Sequence, residues 1–446
     1  MVLLRHKGSS VNTHLVSVSA SGHHLPPSSL KAFGAALSVQ AQKKHQNVGI
    51  TRLAIGSKDM GDDGVISLCE GLATTNGALL QHLDLGWKQI GKDGLYEIGK
   101  TFIHSRFLSR LDLSRNDFGN DGMVQLNKAA TLSKKENDDI CDDRDGDVAF
   151  PALEMLILAE CNIDSAGMNM LTEILLGHNN TRRSKRIQLS ISSNPIGSGG
   201  CQPLKRLLSC EDHGSIVSHL QAAQCNIGDV GIGILSKCRQ EHVECLDISD
   251  NNITSDGAKL LAQSLRHSWP DLVELKLAKN KLGSEGVTAI LRSLITRSDD
   301  EITGSFADRN SSLKNLDLSY TNCGAEGAKA AVMSGGLTTL RLFGNKIGSN
   351  GFDAIAPLLR GGHPNIKNLD LGGNNAEEDS VVRLLDAIAD KKVDSTHSRL
   401  AVLEIGGNKF GDKAMDALKR LKHVLPDLDV AHDMPVGESG WQAEDQ

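Results

Sequence analysis

The chain has 446 residues, a net charge of −7, 39% hydrophobic residues and 3% aromatic ones. That length exceeds one compact core but is ordinary for a repeat array, and the acidic balance argues against a general nucleic-acid surface, which needs a basic excess. No apolar run reaches the roughly 20 residues of a transmembrane helix, and nine scattered cysteines without C-x-x-C read as mostly buried, reduced thiols of an intracellular protein.

Residues 1–49 carry no Asp or Glu and are rich in Ser and His. This composition fits either an organelle transit peptide or a flexible segment followed by a capping helix over Ser28–Gln40, with Leu30, Phe33 and Leu37 on one face. The single arginine, Arg5, favours the second reading. A periodic region over 50–425 follows. Its clearest unit is Leu337–Leu359, with leucines at positions one, four and six (Leu337, Leu340, Leu342), Asn345 at nine, Ile347 at eleven, Gly348 at twelve and Gly351 at fifteen. Ile355, Leu358 and Leu359 then follow helical spacing. The alternating leucines predict a short strand with one buried face. The asparagine can donate and accept at once, and so satisfy backbone groups of its own turn and of the one beside it. Gly348 suits a turn of unusual dihedrals; Gly351 implies a close approach between helix and strand layers.

The chain writes this unit about twelve times. Early copies are atypical, with Lys58 and Lys88 at position nine, as is common where an array is capped. Cys161, Cys225 and Thr321 replace the asparagine in later copies. Polar insertions interrupt the period near 131–150 and 295–311. The first contains Asp143, Asp145 and Gly146, a partial calcium-loop pattern that fails at its first and twelfth positions, Cys141 and Ala152; no metal site is expected. Residues 426–446 read as a capping strand around Leu428 and Val430 followed by a disordered tail.

The spacing L-x-x-L-x-L-x-x-N/C-x-L, with N-x-I-G-x-x-G after the strand and a full helix, resembles leucine-rich repeats of the ribonuclease-inhibitor type. That type also occurs in Ran GTPase-activating proteins and in the repeat regions of Nod-like receptors. The resemblance implies an α/β solenoid, or horseshoe: a parallel sheet on the concave face and helices on the convex face. A nucleotide-binding G-x-x-x-x-G-K-[ST] is absent from this chain.

Function on such a scaffold depends on its surface. At position five the strands read Ala54, Asp84, Asp112, Ile157, Ser190, Gln221, Asp247, Lys276, Asp317, Arg341, Asp370 and Glu404. No catalytic or metal-ligand constellation emerges, so no enzyme activity and no cofactor are expected. The expected role is a protein-binding scaffold using the concave face, in a cytoplasmic monomer without nucleic-acid or membrane partners. Nuclear or organellar targeting stays open. The alternative implied by the resemblance is a GTPase regulator. Partner-binding candidates are Trp87, Arg115, Tyr320 and Phe343, just past their strands, and the alternating row Asp247, Lys276, Asp317, Arg341, Asp370. That row is expected to stabilise the sheet or to contact a partner.

Overall fold

A computed structural model describes residues 16–42, 49–75, 77, 79–137, 148–177, 185–209, 215–237, 240–265, 268–294, 312–390 and 400–432. The chain divides into two compact units, Met1–Leu220 and Gln221–Gln446. Unit 1 carries strands β1 (Ser17–Ser21), β2 (Arg52–Gly56), β3 (His82–Asp84), β4 (Arg110–Asp112), β5 (Met155–Ile157), β6 (Ile187–Ser190) and β7 (Val217–Gln221), at whose last residue the boundary falls. Its helices are α1 (Pro27–Gln42), α2 (Gly61–Leu72), α3 (Lys92–Phe102), α4 (Gly119–Asn137), α5 (Ser165–Leu176) and α6 (Cys201–Leu208). Unit 2 carries β8 (Cys245–Asp247), β9 (Glu274–Lys276), β10 (Asn315–Asp317), β11 (Thr339–Arg341), β12 (Asn368–Asp370), β13 (Val402–Glu404) and β14 (Asp429–Ala431). Its helices are α7 (Gly228–Leu235), α8 (Ser255–Leu265), α9 (Gly283–Ser293), α10 (Gly324–Met333), α11 (Gly348–Ile355), α12 (Glu378–Ile388) and α13 (Asp412–Val424).

Within each unit the strands lie in sequence order. They pair in parallel, with leucines in register: Leu53 beside Leu83 beside Leu111 in unit 1, and Leu275, Leu316, Leu340, Leu369 and Leu403 in unit 2. One helix between successive strands returns the chain to its starting edge, as parallel pairing requires. The leucines at positions four and six are buried against the apolar faces of the helices, for example Leu83 and Leu85 with Leu95, Ile98 and Phe102. One repeat could not bury that face alone; stacking does it.

The asparagines form a buried ladder. Asn280 donates from its NH2 to Leu277 O (2.9 Å) in its own turn and to Ile248 O (3.0 Å) in the turn before it. Its Oδ1 accepts from the backbone N–H of Asn251 (2.9 Å) and Ile253 (3.0 Å). Asn116, Asn194, Asn345, Asn374 and Asn408 likewise reach the preceding turn. Cys161 keeps the donor half of this pattern, its thiol donating to Leu113 O at 3.2 Å. Lys88 is buried too, and its ammonium reaches Ser21 Oγ at 3.0 Å.

Turn glycines at position twelve, such as Gly283 (φ +62°) and Gly348 (φ +63°), hold left-handed backbone ahead of their helices, where a side chain would be strained. The glycines at position fifteen are crowded, but not by the strand layer. A Cβ at Gly94 would stand 2.9 Å from Ile90 Cγ2 and 2.5 Å from Asp62 Oδ1; one at Gly167 would stand 2.7 Å from Ile163 Cγ2 and 2.5 Å from Asn120 Oδ1. The neighbours are therefore the position-eleven side chain of the same repeat and the preceding helix, which corrects the expected cause.

Two segments differ from what the sequence predicts. The stretch ahead of the capping helix, taken as flexible, contains β1, which pairs with β2 from Ser17↔Arg52 to Ser21↔Gly56. It lacks leucines, so nothing in its pattern announced a strand. The first polar insertion is shorter than 131–150. Helix α4 runs on to Asn137, and Val148, Ala149 and Phe150 are buried, with Phe150 N–H donating to Ile103 O at 2.6 Å. The rest of that insertion (138–147), the second insertion (295–311) and the tail after 432 lie outside the described residues, as do residues 1–15.

Candidate functional site

The residues at positions three and five of each strand flank the buried leucine and share the sheet face away from the helices. In unit 2 register places Asp247 beside Lys276, Lys276 beside Asp317, Asp317 beside Arg341, Arg341 beside Asp370, and Asp370 beside Glu404. Five of the sequence candidates thus stand in one row. A cavity of about 150 Å³ lined by Glu274, Asn315, Asp317, Thr339, Arg341 and Asn368 opens on it.

The pairing within the row is uneven. Arg341 Nη1 lies 3.8 Å from Asp317 Oδ2, whereas Lys276 Nζ turns to Glu274 Oε1 on its own strand at 3.4 Å. The aspartates also have a local task. Asp247, Asp317 and Asp370 each accept through Oδ1 from the backbone N–H two residues on, at Ser249 (3.1 Å), Ser319 (2.9 Å) and Gly372 (2.9 Å). Asp84 and Asp112 do the same in unit 1, toward Gly86 and Ser114 at 3.0 Å each. Such Asx turns account for much of the recurrence of Asp at position five. At the end of the row, burial pushes the Asp370 carboxyl above its ordinary range, and Glu404 and Asp317 add to the shift.

The aromatic candidates sit in the turns. Tyr320 is 49% exposed, and its ring centroid lies 5.3 Å from that of Phe343 at 58°. Phe343 is half-buried against Gly372 and Gly373 of the next turn. In unit 1, Trp87 is 53% exposed with Lys58 Nζ 5.0 Å above its ring, and Arg115 Nε donates to Glu160 Oε1 at 3.1 Å. Trp87 and Arg115 occupy successive turns, tied by Trp87 N–H to Ser114 O at 2.7 Å. The candidates therefore form two groups, one per unit. Trp87, Arg115 and Tyr320 share position eight and left-handed backbone (φ +57°, +59° and +57°), where other turns carry Gly344, Gly373 and Gly407. Holding a bulky residue there costs about 1 kcal/mol or more.

Position three holds what the sequence reading passed over. Arg52, His82 and Arg110 are neighbours in register on β2, β3 and β4. Arg52 makes no ion pair among the described residues, and Arg110 Nη2 is 3.9 Å from Asp112 Oδ2. Burial lowers the His82 pKa, and the two arginines lower it further. Reading position three alongside position five would have revealed the row.

Chemical reactivity is not concentrated in the cysteines. Among the described residues, Cys69, Cys161, Cys201, Cys225, Cys245 and Cys323 are buried, and burial pushes the thiols of Cys69, Cys161, Cys245 and Cys323 up to about 12. Among the described residues no group of three or more His, Cys, Asp or Glu side chains could hold a metal ion. No helix there is long and apolar enough to cross a membrane.

The family description "Leucine Rich repeat" matches residues 104–126, 239–262, 270–291, 309–330 and 337–356. Pig ribonuclease inhibitor is 25% identical over 330 residues, covering 62% of this chain and 69% of the inhibitor. Mouse NACHT, LRR and PYD domains-containing protein 14 is 28% identical over 247 residues, 53% of this chain and 22% of its own length. Human NACHT, LRR and PYD domains-containing protein 5 is 29% identical over 148 residues, 32% and 12% respectively. The chain thus spans about a fifth or less of these NACHT relatives. With strands in parallel register and the asparagine ladder, the chain is built of leucine-rich repeats that are similar to those of ribonuclease inhibitor.

Proposed function

We propose that this chain is a non-enzymatic scaffold that binds another protein through the exposed face of its sheet and the turns beside it. The observation that carries this reading is the unit 2 surface. There the in-register row from Asp247 to Asp370 adjoins the exposed Tyr320 ring, which rests against Phe343. An aromatic anchor next to ordered charges is the composition of interface hot spots. The similarity to ribonuclease inhibitor, whose name describes an inhibitor of another protein, supports binding as the mode of action. The buried thiols fit a reducing compartment such as the cytoplasm.

The test uses the backbone itself. Tyr320→Gly removes the ring while suiting φ +57°, as Gly344 and Gly373 do in the next two turns. The variant should keep its thermal midpoint and lose the proteins that the wild-type chain captures in affinity purification with mass spectrometry. An unchanged set of captured proteins would remove Tyr320 from the interface. Stimulated GTP hydrolysis by Ran in the presence of the chain would overturn the non-enzymatic reading.

A further inference from the structure

Arg52, His82 and Arg110 stand in register across β2, β3 and β4, at spacings of about 4.8 Å. Two guanidiniums thus flank an imidazole whose pKa is lowered by burial and by both arginines, and the row gathers hydrogen-bond donors on one face of the sheet. Neutral residues at these positions would leave the leucine core untouched, since all three point away from it.

The array borders a concavity. A cavity of about 210 Å³ is lined by Ser17, Ser19, Arg52, His82, Asp84 and Arg110, among others. This is below the roughly 300–1,000 Å³ of small-molecule pockets, and so suits one compact charged group. Its polar lining is rich in donors: two serine hydroxyls, the imidazole and two guanidinium forks. Two carboxylates stand nearby, and each is engaged. Asp84 Oδ1 accepts from Gly86 N–H, and Asp112 Oδ1 accepts from Ser114 N–H and Oγ while its Oδ2 lies 3.9 Å from Arg110 Nη2. Glu154, at the approach to β5, is paired with Lys185. Arg52 has no carboxylate partner among the described residues and is the free member.

We propose that this cavity on the unit 1 sheet face binds a phosphate monoester, carried by a phosphorylated side chain of the protein partner. A dianion with three acceptor oxygens matches two planar forks and an imidazole better than a single carboxylate does. The row spans only three strands in a chain of net charge −7, which disfavours a nucleic-acid backbone, whose binding needs an extended basic track. The inference deepens the protein-binding reading and rests on it.

The experiment uses the full chain and defined probes. Fluorescence polarisation would compare a degenerate phosphoserine peptide pool, its unphosphorylated counterpart, its Glu-substituted counterpart and a single-stranded oligonucleotide. The phosphorylated pool should bind best. The double substitution Arg52→Gln with Arg110→Gln should weaken it by about ten- to a hundredfold, the equivalent of charge-assisted hydrogen bonds lost. Because both side chains point away from the leucine core, the thermal midpoint should hold. Arg52→Lys should restore charge but only part of the affinity, since a lysine cannot present a fork. Equal binding of phosphorylated and unphosphorylated pools, undiminished binding by the double variant, or preference for the oligonucleotide would each overturn the proposal. Capture that depends on Tyr320 is read separately, so loss of phosphopeptide binding with that capture intact would defeat this inference alone.

Discussion

At position three of unit 1, two arginines flank a histidine across β2, β3 and β4; at position five of unit 2, sign alternates from β8 to β12. The backbone plan is the same in both. The difference separates two uses of charge on a sheet. Alternation explains itself, because opposite neighbours favour pairing by about 0.2–1 kcal/mol each. Two guanidiniums closing on one imidazole do not, and therefore point to something that the sheet alone does not supply. Aspartate at position five is a third case, since its Asx turn would be wanted whatever its neighbours were.

Substitutions can break or sharpen this contrast. The largest effect is expected where unit 1 closes its core with a residue from its polar insertion. Phe150 lines the apolar interior with Leu95, Ile98, Leu111 and Leu171, and Phe150→Ala should cost about 3–5 kcal/mol by denaturant titration. A change below about 1 kcal/mol would return Phe150 to the insertion. Next comes the ladder common to both units. Asn280→Ala strands two buried N–H groups and two carbonyls, and should cost about 3 kcal/mol. Asn116→Ala in unit 1 should match it, and unequal losses would mean that the two units do not share one turn architecture.

Smaller effects address the charges directly. Arg341→Glu puts like charges in a row with Asp317 and Asp370, and should destabilise unit 2 by about 1 kcal/mol. If stability holds while partner capture is lost, the alternating row is a binding surface first. The smallest effect should be a gain. The folded-state pKa of Asp370 is raised by burial and by its acidic neighbours. The native state therefore takes up this proton before the unfolded chain does, and the penalty for keeping the group charged is present at neutral pH and relieved as pH falls through the folded pKa. Asp370→Asn keeps an Oδ1 acceptor for Gly372 N–H. It should raise the thermal midpoint slightly at pH 7, with the gain shrinking toward pH 4. A gain that persisted at low pH would have another origin.

The sequence made the repeat legible because its period is written in leucine, asparagine and glycine, each of which has one physical task in every copy. Leu340, Asn345 and Gly348 have the strand, ladder and turn roles that their chemistry implied. What escaped lacked that redundancy. The strand Ser17–Ser21 has no leucine and depends on β2 for its pairing. Phe150 follows directly on an acidic stretch that dominates local composition. The Arg52, His82 and Arg110 row was hidden because only one of the two outward positions per strand was followed. The left-handed backbone of Trp87 and Tyr320 has no marker in residue type, since glycine fills the same position elsewhere.

The ladder has a direction. Asn280 completes the turn of Asn251 and Ile253, and Asn374 that of Asn345 and Ile347, so wherever the following repeat carries the asparagine it finishes the turn before it. During synthesis, which delivers the amino-terminal repeat first, such a turn waits with two bare N–H groups until the next repeat emerges. A nick on the carboxyl side of a repeat therefore reopens a turn behind it. One on the amino side breaks the same bonds from the other partner, leaving one asparagine side chain without the two N–H donors to its Oδ1 and the carbonyl its NH2 reaches; the two breaks differ in whether a backbone turn or a single side chain is left bare.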